Sequence, residues 1–340
     1  MEGTTEHEQQ GRNASIDVLR AVAVLFMVLV HAAATWMPNT ASRISPLAYL
    51  VAGIGGLAAP LFVMLFGWEI AASKSLNAKK VLYRAGILAV CQLVVNMSAP
   101  HLFDTWTPGV LTLFSLLYLT SPWWTQLPYH PRAEKFAFIL LLIFPLVMYD
   151  FMGPSSWNSR IETTSLSQFV QHILLTGQYP LLPWLVFALV GAHVYHYPNS
   201  PSYPRFVGAG LLCCVATLVY AVRSGRPWAL ATDPTGQSVL TFFPTSSTFL
   251  VAALTGALLL WMVVYGRIKA SIVAPLGTMS LTVYVAHFIP IGLFHDSVDA
   301  ANVIHYGLIL AYTLMWMPLG LVWQRFTPTW TLETIMRKRI

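Results

Sequence analysis

Two imidazoles, a guanidinium and a carboxylate stand inside stretches of sequence that are otherwise apolar, and their spacing decides what they can do. The first stretch reads Ser15-Ile-Asp17-Val-Leu-Arg20-Ala-Val-Ala-Val-Leu-Phe-Met27-Val-Leu-Val-His31. Ser15 suits an N-cap and Asp17 the first turn of a helix. On that helix the steps from Arg20 to His31 return to within about 20° of one face and rise about 16 Å. Asp17, three positions before Arg20, lies on the same side. The pattern predicts an acid–base pair near one surface and an imidazole at depth, a group able to take or give a proton near neutral pH. The plainer reading makes Asp17 and Arg20 a helix-end ion pair and His31 a buried hydrogen-bonding side chain.

A second polar stripe comes late: Leu276-Gly277-Thr-Met-Ser280-Leu-Thr282-Val-Tyr284-Val-Ala-His287. Tyr284 and His287 share a helix face, as do Ser280 and Tyr284. Interhelical hydrogen bonding would account for such a stripe without any chemistry. Glu69 ends an apolar run and is expected to pair with Arg84 or a nearby lysine. His193 and His196 lie one turn apart with no carboxylate close in sequence, so they read as interface residues rather than metal ligands. His101, Asp104 and Trp106 read as a solvated turn.

The elements that must position these residues are membrane helices. The 340 residues are 56% hydrophobic and only 9% charged, with a mean hydropathy of +0.63. Ordinary soluble domains carry about 25% charge, and a chain so poor in it cannot cover a water-facing surface. Soluble enzymes, disordered chains and disulfide scaffolds are excluded. The net charge of +6 does not indicate nucleic-acid binding, because the basic residues form no stripe on a soluble face. Cys91, Cys213 and Cys214 fall inside apolar runs and imply neither a disulfide framework nor a metal site.

Apolar runs predict an all-α, polytopic bundle of about ten membrane helices, at 16–36, 48–72, 81–99, 107–124, 134–152, 179–197, 205–223, 246–266, 271–293 and 303–323. With the N-terminus in the cytosol, Arg43, Arg160, Arg223 and Arg226 fall outside, Arg20 within the first run, and every other Lys and Arg inside, as the positive-inside rule requires. Both termini are thus expected in the cytosol. The organisation is a tail at 1–14, a membrane domain at 15–324 and a basic tail at 325–340. Glu2, Glu6 and Glu8 give the N-terminus the wrong sign for a cleaved signal. The segment from Ser165 to Leu175 could form an amphipathic helix.

These residues carry a resemblance. Arg12, Ser15-Ile-Asp17-Val-Leu-Arg20 and Met27-Val-Leu-Val-His31 resemble the opening signature of the transmembrane acyltransferase superfamily. That group includes the acyltransferase-3 family, which shares the spacing of ten residues between Arg and His. It also includes the heparan-α-glucosaminide N-acetyltransferase-like (DUF1624, YeiB-like) branch. Ala58-Ala-Pro60-Leu-Phe62-Val-Met-Leu-Phe-Gly67, Phe243-Pro244-Thr-Ser246 and the Leu276–His287 block resemble successive segments of the latter.

The resemblance implies transfer of an acyl group, acetyl above all, from cytosolic acyl-CoA to a hydroxyl or amine of a glycan or lipid headgroup presented at the membrane. It implies a multi-pass protein of the cell membrane, no metal and no nucleic acid; a homo-oligomer is left open. The residues fit that chemistry. Arg20, Lys74, Lys79, Lys80 and Arg84 could receive the anionic end of CoA, while its long thin arm reaches about three turns deeper. His31 would be the base or a transient acyl carrier, Arg20 a donor contact held by Asp17, and Tyr284 and His287 oxyanion or acceptor contacts. The rival is a proton-coupled secondary transporter, which buried Asp, Arg and His would also suit. Two detectable halves, expected of many such carriers, are not seen.

Overall fold

Backbone polar groups in a bilayer must be satisfied within the chain, so the apolar runs form helices. The computed structural model describes residues 14–36, 46–73, 76–232, 236–268, 272–295 and 304–337. In chain order the helices are α1 (Ala14–Trp36), α2 (Pro46–Ala72), α3 (Ala78–Ser98), α4 (Val110–Trp124) and α5 (Pro131–Val147). Then come α6 (Asn158–Ile161), α7 (Leu166–Gln171), α8 (Leu181–His196), α9 (Tyr203–Ser224) and α10 (Ser247–Val264). The late polar stripe falls on α11 (Ala274–Thr278), α12 (Ser280–Ala286) and α13 (Phe288–Leu293), followed by α14 (Ile304–Phe326) and α15 (Leu332–Met336).

Six of the described helices are long and apolar enough to cross a membrane: Ala14–Trp36, Gly53–Ala72, Ala78–Ser98, Tyr203–Ser224, Ser247–Val264 and Tyr306–Phe326. A seventh follows if Leu166–Thr176 and Leu181–His196, bent by 47°, count as one span. The fold is therefore a polytopic helical membrane bundle, with fewer full-length spans than the apolar runs suggest. The remaining runs are helical but short or broken. The 15 residues of α4 reach only about 22 Å against a hydrocarbon core of about 30 Å. The run at 271–293 breaks at Met279, whose backbone (φ −121°, ψ 30°) leaves the helix. One departure from an all-helical chain is a two-stranded parallel ribbon of β1 (Ala229–Thr232) and β2 (Leu240–Phe243). It pairs Ala229 with Leu240 and Thr232 with Phe243.

At the centre, α1 packs against α2, α11, α12 and α14, and α2 packs along α8. Leu19, Ala21, Ala23 and Val28 of α1 and Leu61, Val63 and Met64 of α2 are fully buried. Membrane helices gain little from expelling water, so their contact depends on small residues that let backbones approach. A Cβ on Gly191 of α8 would strike the Met64 carbonyl of α2, and one on Gly277 of α11 would strike the Asp17 carbonyl of α1. The second contact seats the broken stripe against the first helix. Peripheral α9 leaves Leu212 and Val222 each 73% exposed, as a lipid-facing helix should.

The segment from Ser165 does form a helix, with the Ser165 hydroxyl accepting from the Gln168 N–H at 3.2 Å and the chain continuing as a π-helical turn, His172–Thr176. Arg160 staples it. Its guanidinium, 1% exposed, donates to the carbonyls of Thr176 (2.8 Å), Gly177 (3.1 Å), Met152 (2.9 Å) and Gly153 (3.3 Å). Burial pushes this group down to about 10, with Tyr149 opposing, so it keeps its charge at neutral pH. Replacing Arg160 with Ala orphans those carbonyls and is expected to destabilise the protein by about 3 kcal/mol. Thermal unfolding of the purified variant tests this, and an unchanged midpoint would show that water serves the carbonyls equally well.

Candidate active site

Helix α1 presents Asp17, Arg20, Met27 and His31 along one side, and two hydrogen-bonded assemblies form on it. At its deeper end, His31 Nδ1 lies 2.9 Å from His287 Nε2. The other nitrogen of His287, Nδ1, lies 3.1 Å from the Val283 carbonyl oxygen. A carbonyl only accepts, so His287 Nδ1 must carry a hydrogen and donate it. Neutral His287 then has its lone pair on Nε2, which accepts from His31 Nδ1–H. His31 is left with a bare Nε2. The chain of three groups fixes both tautomers.

Neighbours hold this pair in place. The Phe288 ring packs 4.5 Å from His31 between centroids, and Tyr284 stands edge-on at 6.3 Å. Tyr312 donates its hydroxyl hydrogen to the His287 carbonyl, and His287 is fully buried. The Thr35 hydroxyl donates to the His31 carbonyl at 3.0 Å. The Thr35 hydroxyl oxygen also lies 3.1 Å from His101 Nε2, and the His101 ring stacks on His295 at 4.5 Å. His101 is therefore drawn into the bundle rather than left in a solvated turn, while Asp104 is exposed.

At the other end of α1, Arg20 is gripped from two sides. Its guanidinium bonds Asp17 at 3.2 Å, as the spacing predicts, and also the Glu69 carboxylate. Glu69 thus pairs with Arg20 and not with Arg84. Arg84 instead donates to the Tyr118 hydroxyl at 3.5 Å and lies 5.7 Å from that ring's centre. His193 also differs from expectation, since Glu134 of α5 meets its Nδ1 at 2.8 Å. A pair 59 residues apart is invisible to local spacing.

A cavity of about 190 Å³ runs between these assemblies. Arg20, Glu69, Arg84 and Arg337 line it at the Arg20 end; Met27, Leu111, Phe114 and Tyr284 line it further in. His31 does not line it. Met27, one turn before His31, and Tyr284, edge-on to the imidazole, bring the lining up to the histidine pair. Of the expected cationic set, Arg20 and Arg84 reach the cavity. Lys79 is exposed and Lys80 half-buried at the start of α3, both outside its lining, and Lys74 lies outside the described residues.

One wall was not foreseen. Glu333 of α15 accepts from the N–H groups of Leu281 (2.6 Å) and Thr282 (3.3 Å) and from the Thr282 hydroxyl (2.6 Å). The break at Met279 exposes those N–H groups, as any helix start does. Burial raises the Glu333 carboxyl above its ordinary range, and the hydrogen bonds from Thr282 and the backbone pull it back. The one sequence signal was an acid in a basic tail, two residues after Thr331, whose hydroxyl caps α15.

A family model described as an acyltransferase domain matches residues 13–323, nearly the whole chain. The chain belongs to the acyltransferase-3 family. Membership makes it a membrane-associated acyltransferase and implies a donor of the acyl-CoA type. No curated protein matches the chain. The resemblance seen in the sequence therefore holds for the acyltransferase-3 family, while the N-acetyltransferase-like branch rests on the sequence blocks alone.

Proposed function

We propose that this acyltransferase moves an acetyl group from cytosolic acetyl-CoA to a hydroxyl or amine of a glycan or lipid headgroup at the membrane, with His31 as general base. The observation that carries the reading is the chain Val283–His287–His31, which leaves His31 Nε2 unprotonated and ready. As the acceptor oxygen or nitrogen attacks the thioester carbonyl, its proton passes to that nitrogen. The imidazolium formed keeps its Nδ1–H donated to His287. When the tetrahedral intermediate collapses, the carbon–sulfur bond breaks and the departing thiolate takes the proton back.

Tyr284 is the proposed oxyanion contact, because it lines the inner end of the cavity beside His31. His287, engaged at both ring nitrogens, is better suited to orienting His31 than to touching the acceptor. Arg20 is the proposed donor contact, oriented by Asp17 and Glu69. Lys79 and Lys80 would act on CoA at longer range, from the approach to the cavity. The distribution of Lys and Arg supports both termini in the cytosol and about ten membrane segments, counting the short and broken ones, in a cell-membrane protein.

Two measurements test the reading. Purified protein in nanodiscs should bind acetyl-CoA and release its thiol when acceptor is supplied. Glycans and lipids from cells with and without the gene should differ by one acetyl group. Protein that neither binds nor turns over acetyl-CoA would remove the proposal and return attention to a proton-coupled carrier.

A further inference from the structure

Helix α15 lies beyond the last residue matched by the family model, yet it supplies Glu333, Met336 and Arg337 to the cavity lining. It is tied down on two sides. Glu333 binds the start of α12, and the Leu332 N–H donates to the Thr282 hydroxyl at 2.8 Å. The Tyr83 hydroxyl of α3 donates to the Ile335 carbonyl at 3.3 Å. A five-residue helix has no stability of its own in water, so these bonds are what hold it across the mouth.

The charges at that mouth are unequal in what they can offer. Arg20 is shared between two carboxylates, and the Glu333 carboxylate is committed to α12. Arg84 contacts only a neutral phenol hydroxyl among the bonds above. Arg337, an exposed residue, adds a second cation to the same lining. Guanidinium groups suit a nucleotide bearing several phosphate charges, because their planar fork of N–H donors matches phosphate oxygens. We infer that α15 is a wall of the donor site and that Arg337, together with Arg84, receives the phosphates of the CoA nucleotide, so that the carboxyl-terminal tail sets donor affinity. This inference rests on the acyl-CoA reading above.

The test compares two thioesters on the purified full-length protein: acetyl-CoA, and S-acetylpantetheine, which lacks the nucleotide. Arg337→Ala should weaken acetyl-CoA binding about tenfold, the loss expected for one charge-assisted phosphate contact, and leave S-acetylpantetheine unaffected. Glu333→Ala, which releases α15, should weaken both. Wild-type protein that binds acetyl-CoA together with an Arg337→Ala variant of equal affinity would overturn the inference and leave the donor reading standing. Equal weakening of both thioesters by Arg337→Ala would also overturn it, since that marks a structural role. Wild-type protein that binds neither would remove the donor reading, and this inference with it.

Discussion

His31→Ala is expected to lower the rate of acetyl-CoA turnover by about a thousandfold, the range for loss of a positioned general base. The variant should still purify as a folded protein, because the imidazole occupies a polar niche at the end of a helix face whose packing comes from Leu19, Val24 and Val28. His31→Gln is the companion. Its amide nitrogen can still donate to His287, so the local bonding survives, but it cannot take a proton. If the hydrogen bond were all that mattered, Gln would retain activity; if the base matters, both substitutions fail together. A folded His31→Ala protein with full turnover would end the catalytic assignment. The measurement is thiol release from acetyl-CoA, read beside unfolding temperature so that loss of fold and loss of chemistry are not confused.

What the sequence showed clearly was whatever a single helix contains. Asp17, Arg20, Met27 and His31 share a face because of helix pitch alone, and the Asp17–Arg20 bond follows from a three-residue spacing. What it concealed were meetings across long separations. His31 and His287 are 256 residues apart, and the sequence read them separately, one as a base or acyl carrier and the other as an oxyanion or acceptor contact. Glu69 could have paired with any cation near the same end of the bundle. The packing of α2 along α1 selects Arg20. Among the described residues, fewer helices are full-length spans than there are apolar runs, for a related reason. Hydropathy registers apolar character but not continuity, and the run at 271–293 is apolar while its backbone breaks at Met279. That break frees the N–H groups that Glu333 takes, which is how a residue in the tail comes to wall the cavity.

Substitution of His287 should separate an orienting role from direct contact with an oxyanion or acceptor. The orienting role requires a group that accepts from His31 Nδ1–H; an oxyanion contact requires a group that donates. His287→Leu keeps the bulk of a fully buried side chain but offers no acceptor, so His31 loses the partner that holds its tautomer. Turnover should fall about a hundredfold, the upper range for removing a group that orients a reactive imidazole. His287→Gln can present its carbonyl oxygen to His31 and should recover to within about tenfold of wild type. Apparent affinity for acetyl-CoA should be unchanged in both, because His287 lies outside the cavity lining. A Leu variant as active as wild type would show that His31 holds its own orientation. It would also shift the explanation to the packing of Phe288 and Tyr284 around the ring, whose edges remain in place in either variant.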